Sequence, residues 1–154
     1  MSDRILARFT FSERIIHWVV GVAFVVLLAT GLAFAHPTLF WMTTLLGGGP
    51  SARVVHPWVG VVFSFGMIIM VAVWVRDMFL DDIDRRWLAA VKYYATRDTQ
   101  RVPPAGKYNA GQKMFFWFQA CLAVIFAVSG VLLWFPVFYE ATVLQWMRFA
   151  HYAA

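Results

Sequence analysis

The sequence predicts an all-α membrane protein, a transmembrane four-helix bundle whose fourth helix is incomplete. Of its 154 residues, 62% are hydrophobic and only 14% are charged, whereas soluble domains contain about 25% charged residues. Three long apolar segments contain almost no ionisable residues, and a shorter one ends the chain. This composition excludes an ordinary water-soluble enzyme. A single cysteine, Cys121, also excludes a disulfide framework and an iron–sulfur cluster held by this chain alone.

The three apolar segments have the length of membrane-spanning helices and cover residues 15–35, 54–75 and 114–135. Each contains 21 or 22 residues, which as an α-helix span roughly 30 Å, the thickness of the hydrocarbon core. A fourth apolar stretch begins near Thr142, but the 13 residues left from there span only roughly 20 Å. We therefore expect a truncated fourth helix, a sequence that is a fragment, and a single integral-membrane domain over residues 1–154.

The first segment is interpreted as a retained helix rather than a secretory signal. Ala33, Phe34 and Ala35 resemble a signal cleavage site. However, the apolar run exceeds the usual length of about 7 to 15 residues, and a long segment precedes it. Cleavage would also remove His17, a candidate functional residue.

Lysine and arginine are distributed unevenly between the two sides of the predicted bundle. Eleven of the thirteen lie before the first span or between the second and third spans, and only Arg53 and Arg148 lie on the opposite side. Because loops rich in Lys and Arg stay inside, the N-terminus is predicted to be cytoplasmic. We interpret the net charge of +5 as this topology signal and expect no nucleic-acid partner. The eleven residues are Arg4, Arg8, Arg14, Arg76, Arg85, Arg86, Lys92, Arg97, Arg101, Lys107 and Lys113.

The loop between the second and third spans contains an amphipathic segment at residues 81–94, which begins with acidic residues and includes the apolar Trp87, Leu88 and Val91. Such a segment either lies along the membrane surface or forms a solvated connecting helix, and the sequence leaves both interpretations open. On the other side, the sequence GGGP at residues 47–50 predicts a turn before the second span.

Histidines are the main chemical signal, because polar residues at membrane depth usually face the bundle interior and serve function. His56 and His151 are both expected close to the outer face, whereas His17 lies at the inner end of the first span. Imidazole is an axial ligand of haem iron, and facing helices supply such ligands in bundles. The shared depth of His56 and His151 thus predicts one haem b held by both. His17 lies roughly 25 Å away in depth and is assigned to a second haem, without a partner in this sequence.

An arginine precedes each candidate ligand by three residues, at Arg14, Arg53 and Arg148. Each shares a helix face with its histidine and lies one turn closer to water, where an arginine can pair with a haem propionate. Alternatively, these arginines only extend their side chains to the membrane surface from helix ends. His36 lacks such an arginine and is interpreted as a loop residue, and Cys121 as a packing residue.

A function of another class stays open on the residues alone. Histidines between membrane helices also serve as hydrogen-bonded structural groups in an anchor, or as a proton relay in a transporter. The depth-matched pair and the repeated arginine spacing favour haem over these alternatives.

Four segments carry a resemblance to a known family: RFTFSERIIHW at residues 8–18, VVHPWVG at 54–60, KYNAGQKMFFW at 107–117 and HY at 151–152. The chain resembles the cytochrome b (gamma) subunit of membrane-bound respiratory formate dehydrogenases over essentially its whole length. The first segment is shared with di-haem cytochromes of hydrogenases and thiosulfate reductases. The third is more specific to the formate dehydrogenase branch.

The resemblance implies a four-helix cytochrome of the di-haem type in the bacterial inner membrane. His56 and His151 match the ligands of the periplasmic-side haem. His17 matches one ligand of the cytoplasmic-side haem, whose other ligand would fall beyond the end of this sequence. Asn109 and Gly111 match residues that approach a quinone beside the inner haem.

In this family the subunit passes electrons from an iron–sulfur (beta) subunit to quinone. A molybdenum or tungsten pterin (alpha) subunit oxidises formate, so no catalytic residues are expected in this chain. Within electron transfer, the alternative is the cytochrome b subunit of a hydrogenase or of another molybdoenzyme.

Overall fold

The computed structural model describes residues 9–154, and Arg4 and Arg8 of the charge pattern lie outside this range. Within it the chain is helical, without β-strands, in agreement with the predicted all-α class. The α-helices in this range are α1 (Phe11–Ala35), α2 (Gly49–Trp74), α3 (Asp82–Ala89), α4 (Val91–Ala95), α5 (Ala110–Trp134) and α6 (Ala141–Ala153). Short 3-10 helices lie at Pro37–Leu46, Val75–Met78, Thr99–Arg101 and Pro136–Phe138.

The membrane-length helices begin four or five residues before the predicted positions, at Phe11, Gly49 and Ala110. Helix α1 begins early because Thr10 caps it. The Oγ1 of Thr10 accepts a hydrogen bond from the N–H of Glu13 (3.3 Å), and the Glu13 carboxylate accepts one from the N–H of Thr10 (2.6 Å). The apolar runs predicted the apolar part of each helix, whereas the capping box at Thr10 sets where α1 starts.

Helices α1, α2 and α5 have the length and apolar composition of membrane spans, in agreement with the three predicted spans. Their large apolar side chains remain exposed in the isolated chain; Trp18 is 70% exposed and Phe65 is 64% exposed. A helix with apolar side chains and a fully hydrogen-bonded backbone suits a bilayer. The chain is therefore a membrane protein. Helix α6, which matches the predicted short fourth helix, begins at Ala141, one residue before the predicted Thr142.

The segment between α1 and α2 contains the turn that the sequence predicted before the second span, and a 3-10 helix that the sequence did not predict precedes this turn. Residues 37–46 form a 3-10 helix that contacts α1. Gly47 and Gly48 form the turn, with φ angles of 86° and 95° that glycine adopts without steric cost. Gly49 already belongs to α2, and a Cβ at this position would lie 2.8 Å from Cζ of Phe40. The third glycine thus allows close packing and is not part of the turn.

The structure contains two compact units, and the first comprises residues 9–70 and 123–154. It holds α1, most of α2, the second part of α5, and α6. Helices α1 and α2 approach closely where Val20 faces Gly66, since a Cβ on this glycine would lie 2.5 Å from Cγ2 of Val20. Trp58 of α2 contacts Trp134 of α5 edge-on, with ring centroids 5.3 Å apart.

The second unit comprises residues 71–122 and includes α3, α4 and the start of α5. The carboxylate of Asp81 caps α3 by accepting hydrogen bonds from the N–H groups of Ile83 and Asp84, both at 2.9 Å. The predicted amphipathic segment 81–94 is thus two short helices that meet at Ala90. Within this unit α3 packs on α5, because Trp87 is buried and lies close to the first turn of α5. A position along the membrane surface stays a prediction.

Candidate functional site

His56 of α2 and His151 of α6 lie next to each other in the first unit, with ring centroids 6.2 Å apart and an interplanar angle of 64°. Both imidazoles are partly buried. Two imidazoles on opposite sides of one metal ion have centroids about 6.2 Å apart, given metal–nitrogen bonds of about 2 Å and about 1.1 Å from each nitrogen to its ring centre. The separation of this predicted pair therefore suits two axial ligands of one iron.

Each imidazole also contacts a buried hydroxyl group on a neighbouring helix. The Oγ1 of Thr30 on α1 lies 2.6 Å from Nδ1 of His56, and the Oγ of Ser129 on α5 lies 2.8 Å from Nδ1 of His151. Both hydroxyl residues are only 1% exposed. Neither was predicted, although a signal is present: each is a hydroxyl residue followed by glycine inside an apolar span.

The hydroxyl protons determine the direction of these two hydrogen bonds. Thr30 donates to the carbonyl of Val26 at 2.8 Å, and Ser129 donates to the carbonyl of Ile125 at 2.6 Å. A hydroxyl has a single proton to donate, so each oxygen accepts a hydrogen bond from the Nδ1–H of its histidine. A neutral imidazole with its proton on Nδ1 has its free lone pair on Nε2. Both histidines are thereby prepared to bind a metal ion through Nε2.

Glycine and phenylalanine complete the surroundings of each ring. A Cβ at Gly31 would lie 3.8 Å from Cε1 of the α2 histidine, and a Cβ at Gly130 would lie 3.5 Å from Cε1 of the α6 histidine. Phe34 and Phe126 contact the same two rings edge-on, at centroid distances of 5.8 Å and 5.3 Å. The helix before each histidine in the sequence thus supplies the same three groups: a hydroxyl, a glycine and a phenyl ring.

Comparison with known proteins identifies the kind of protein that carries this pair. Residues 8–154 match the family described as prokaryotic cytochrome b561. The chain belongs to this family. As a member of it, the protein is a haem b electron-transfer protein of the membrane, as the resemblance predicted.

Individual relatives of this cytochrome are subunits of formate dehydrogenases. It is 31% identical over 149 residues to the nitrate-inducible formate dehydrogenase cytochrome b556(Fdn) subunit of Escherichia coli strain K12, covering 97% of this chain and 69% of the relative. It is 33% identical over 145 residues to the formate dehydrogenase cytochrome b556(fdo) subunit of the same strain, with 94% and 68% covered. The formate dehydrogenase cytochrome b556 subunit of Haemophilus influenzae is 30% identical over 156 residues, with 99% and 66% covered.

His17 of the cytochrome lies apart from the histidine pair. On α1 it precedes Thr30, the contact of His56, by 13 residues, which is about 20 Å of helix. Its ring is exposed and contacts the ring of Trp18 edge-on, with ring centroids 6.3 Å apart. His36, predicted as a loop residue, lies between α1 and the following 3-10 helix.

The three arginines that precede the candidate ligands, Arg14, Arg53 and Arg148, are all exposed. Among residues 9–154, none of them forms an ion pair with an acidic side chain. Each guanidinium is therefore available to an anion such as a carboxylate. The same exposure also suits a side chain that only reaches the membrane surface.

Asn109 caps α5 and uses only part of its side chain for this. Its Oδ1 accepts a hydrogen bond from the N–H of Gln112 at 2.9 Å, and Oε1 of Gln112 accepts one from the N–H of Asn109 at 3.1 Å. In the described part of the chain the side-chain amide of Asn109 has no acceptor, so its two N–H groups can bind another carbonyl. At Gly111, a Cβ would lie 3.3 Å from this Oδ1 and 3.5 Å from Cη2 of Trp87.

Lys113, Asp84 and Asp81 form a partly buried ion cluster in the second unit. The sequence did not predict this cluster, because Lys113 is interpreted there only as one of the basic residues of the loop before the third span. The Nζ of Lys113 donates to Oδ2 of Asp84 at 2.6 Å and to the carbonyl of Phe79 at 3.0 Å, and it lies 3.5 Å from Oδ2 of Asp81. The pKa of Asp81 is held below its usual range, first by the backbone N–H of Asp84 and further by the positive charge of Lys113. The cluster connects the start of α3 to the start of α5.

Proposed function

We propose that this cytochrome is the haem b electron-transfer and membrane-anchor subunit of a formate dehydrogenase complex. The observation that carries the proposal is the pair of hydroxyl-bonded imidazoles, His56 and His151, in a chain about one-third identical to subunits named for that enzyme. Haem b supplies one-electron transfer when it is bound. In this role the chain passes electrons from an iron–sulfur subunit to quinone and does not bind formate.

The outer haem is assigned to His56 and His151, which would bind its iron, and Arg53 and Arg148 would pair with its propionates. Three features support this assignment: the 6.2 Å separation of the rings, the Nδ1 hydrogen bonds that leave Nε2 as the binding nitrogen, and two exposed arginines one helical turn from the ligands. A bidentate guanidinium suits a carboxylate at the aqueous edge.

The inner site is assigned to His17 as a ligand of a second haem, with Arg14 as its propionate partner. The exposed ring of His17 and its separation of 13 positions along α1 from Thr30 support a site separate from the outer pair. Asn109 and Gly111 are assigned to the quinone site, because the amide of Asn109 can donate to a quinone carbonyl and glycine lets the backbone approach closely.

The partners in this proposal are an iron–sulfur (beta) subunit and a molybdenum or tungsten pterin (alpha) subunit, in the bacterial inner membrane. The printed names of the relatives support a formate dehydrogenase complex. The concentration of eleven of the thirteen basic residues on one side supports a cytoplasmic N-terminus. Purification of the tagged cytochrome from its native membrane, with the iron–sulfur and pterin subunits identified by mass spectrometry, tests this assignment.

The haem assignment is tested by replacing each histidine in turn and recording reduced-minus-oxidised spectra of the purified complex. We expect His56→Ala and His151→Ala to remove the same b-type component, and His17→Ala to remove a different one. His36→Ala is the matched control and should keep the whole spectrum. Loss of different components in His56→Ala and His151→Ala contradicts the shared haem. Absence of any b-type absorption in the unmutated protein contradicts the function itself.

A further inference from the structure

We propose that Thr30 and Ser129 are positioning residues that set the reduction potential of the haem held by His56 and His151. Each hydroxyl accepts the Nδ1–H of one ligand and so controls both the electron donation and the orientation of that imidazole. This inference rests on the proposed function, because it requires that the two histidines bind one haem.

Burial of a hydroxyl group alone does not explain these contacts. A hydroxyl group inside an apolar helix can donate its hydrogen bond to a backbone carbonyl one turn earlier, and Thr30 and Ser129 both do so. Thr43 has the same burial, 1% exposed, and the same kind of bond, to the carbonyl of Phe40 at 2.8 Å, but within residues 9–154 its hydroxyl has no hydrogen bond to a histidine. The hydrogen bond to an imidazole is therefore an additional feature of Thr30 and Ser129.

The arrangement occurs twice, on separate helix pairs. Thr30 and Gly31 of α1 face His56, and Ser129 and Gly130 of α5 face the second ligand. In each case the glycine leaves room for the ring to approach the helix, which brings Nδ1 within hydrogen-bond distance of the hydroxyl. The two pairs have no residue in common, so the same combination of hydroxyl, glycine and histidine occurs twice with different residues.

The chemical effect follows from the direction of the hydrogen bonds. An acceptor at Nδ1–H makes Nε2 a stronger donor to the metal and fixes the ring plane. A stronger donor favours ferric over ferrous iron, because the ferric ion carries the greater positive charge. Thr30 and Ser129 thus hold the potential lower than the same ligands would without the hydroxyls. Removal of either hydroxyl should raise it.

The test uses the purified complex with one substitution at a time. Thr30→Val and Ser129→Ala remove the hydroxyls, whereas Thr30→Ser and Ser129→Thr keep them. Thr43→Val is the matched control for loss of a buried hydroxyl in the same unit. Redox titration of the outer haem gives the potential, and the electron paramagnetic resonance spectrum of the ferric haem reports the orientation of the imidazole planes.

We expect the potential to become more positive in Thr30→Val and Ser129→Ala. The ferrous-to-ferric ratio at a fixed ambient potential should rise about two- to tenfold in each, as expected for one lost hydrogen bond, and the ferric resonance should shift. The hydroxyl-retaining variants and Thr43→Val should match the unmutated protein. Loss of the haem in Thr30→Val with retention in Thr30→Ser also supports the inference.

Unchanged potentials and resonances in both Thr30→Val and Ser129→Ala would overturn the inference. The inference would also be overturned if Thr30→Ser changes the potential and the resonance as much as Thr30→Val does. Loss of the haem in both Thr30→Ser and Thr30→Val would overturn it as well. These outcomes are distinct from failure of the proposed function. If the proposed function is wrong, the unmutated complex lacks haem b, or His56→Ala retains the outer haem.

Discussion

Lys113 of α5 forms a buried ion pair with Asp84 of α3, with 2.6 Å between Nζ and Oδ2 and side chains that are only 8% and 4% exposed. Burying a charge is costly unless an opposite charge and hydrogen bonds compensate it. The carbonyl of Phe79 supplies one such bond to Lys113 at 3.0 Å. Each charge of the pair therefore depends on the other, and together they hold α3 on the first turn of α5.

We predict that Lys113→Met destabilises the cytochrome by about 3–5 kcal/mol, because it leaves the carboxylate of Asp84 buried without a partner. The double variant Lys113→Met with Asp84→Leu should recover most of this loss, since it removes both charges. The exposed pair of Lys107 and Asp77, at 2.9 Å, is the matched control, and Lys107→Met should cost about 0–1 kcal/mol. Thermal unfolding in detergent measures all three. Equal destabilisation by Lys113→Met and Lys107→Met would contradict the prediction.

The contact between Val20 and Gly66 gives a second prediction. An alanine Cβ at position 66 would lie 2.5 Å from Cγ2 of Val20, and both residues are buried. We expect Gly66→Ala to destabilise the packing of α1 on α2 by about 1–3 kcal/mol. Adding Val20→Ala should restore part of the stability, because it removes the clashing methyl groups.

Gly21→Ala is the control for this substitution, since a Cβ there meets no atom within 4 Å in the described structure. It should leave the unfolding temperature unchanged or raise it slightly, because alanine favours helix more than glycine. If Gly66→Ala behaves like Gly21→Ala, the close approach of the two helices is not a stabilising contact.

The sequence predicted the helical class and the three spans because both depend on long apolar runs, which need no knowledge of tertiary contacts. It paired His56 with His151 from depth alone, and depth follows from helical rise. The hydroxyl partners of these histidines were missed, because Thr30 and Ser129 are each more than twenty residues away from the ring that they contact. In the sequence, a threonine or serine within an apolar run that forms a hydrogen bond only within its own helix cannot be distinguished from one that also contacts a side chain of a neighbouring helix.

The same limit applies to the second unit. Lys113 and Asp84 are 29 residues apart, and each separately resembles a surface charge in a basic loop. Their burial results from the packing of α3 on α5, which composition does not reveal. The early starts of α1 and α5 have a different origin: capping side chains extend a helix beyond its apolar run, as at Thr10 and Asn109.

The last prediction separates the roles of the two polar groups of the Asn109 side chain, the oxygen that caps α5 and the NH2 group that is proposed to bind quinone. Aspartate keeps the oxygen that accepts from the N–H of Gln112 and is an equally good helix cap, but when ionised it has no N–H group to donate. We expect Asn109→Asp to unfold at the same temperature as the unmutated protein and to weaken quinone reduction and inhibitor binding at least about tenfold, the effect of roughly 1.4 kcal/mol. Asn109→Ala should lose both properties, with a stability cost of about 0.5–2 kcal/mol.

Gln112→Glu is the matched control for the charge that Asn109→Asp introduces. It places a carboxylate in the same turn and keeps the oxygen that accepts from the N–H of Asn109, so it should preserve quinone binding. If Asn109→Asp binds the inhibitor normally, the amide does not contact the quinone. If Gln112→Glu weakens binding equally, negative charge near the start of α5, rather than loss of the amide donor, explains the effect. Only a selective loss in Asn109→Asp supports a hydrogen bond from this amide to the quinone, because Gln112→Glu introduces the same charge in the same turn but keeps the amide of Asn109.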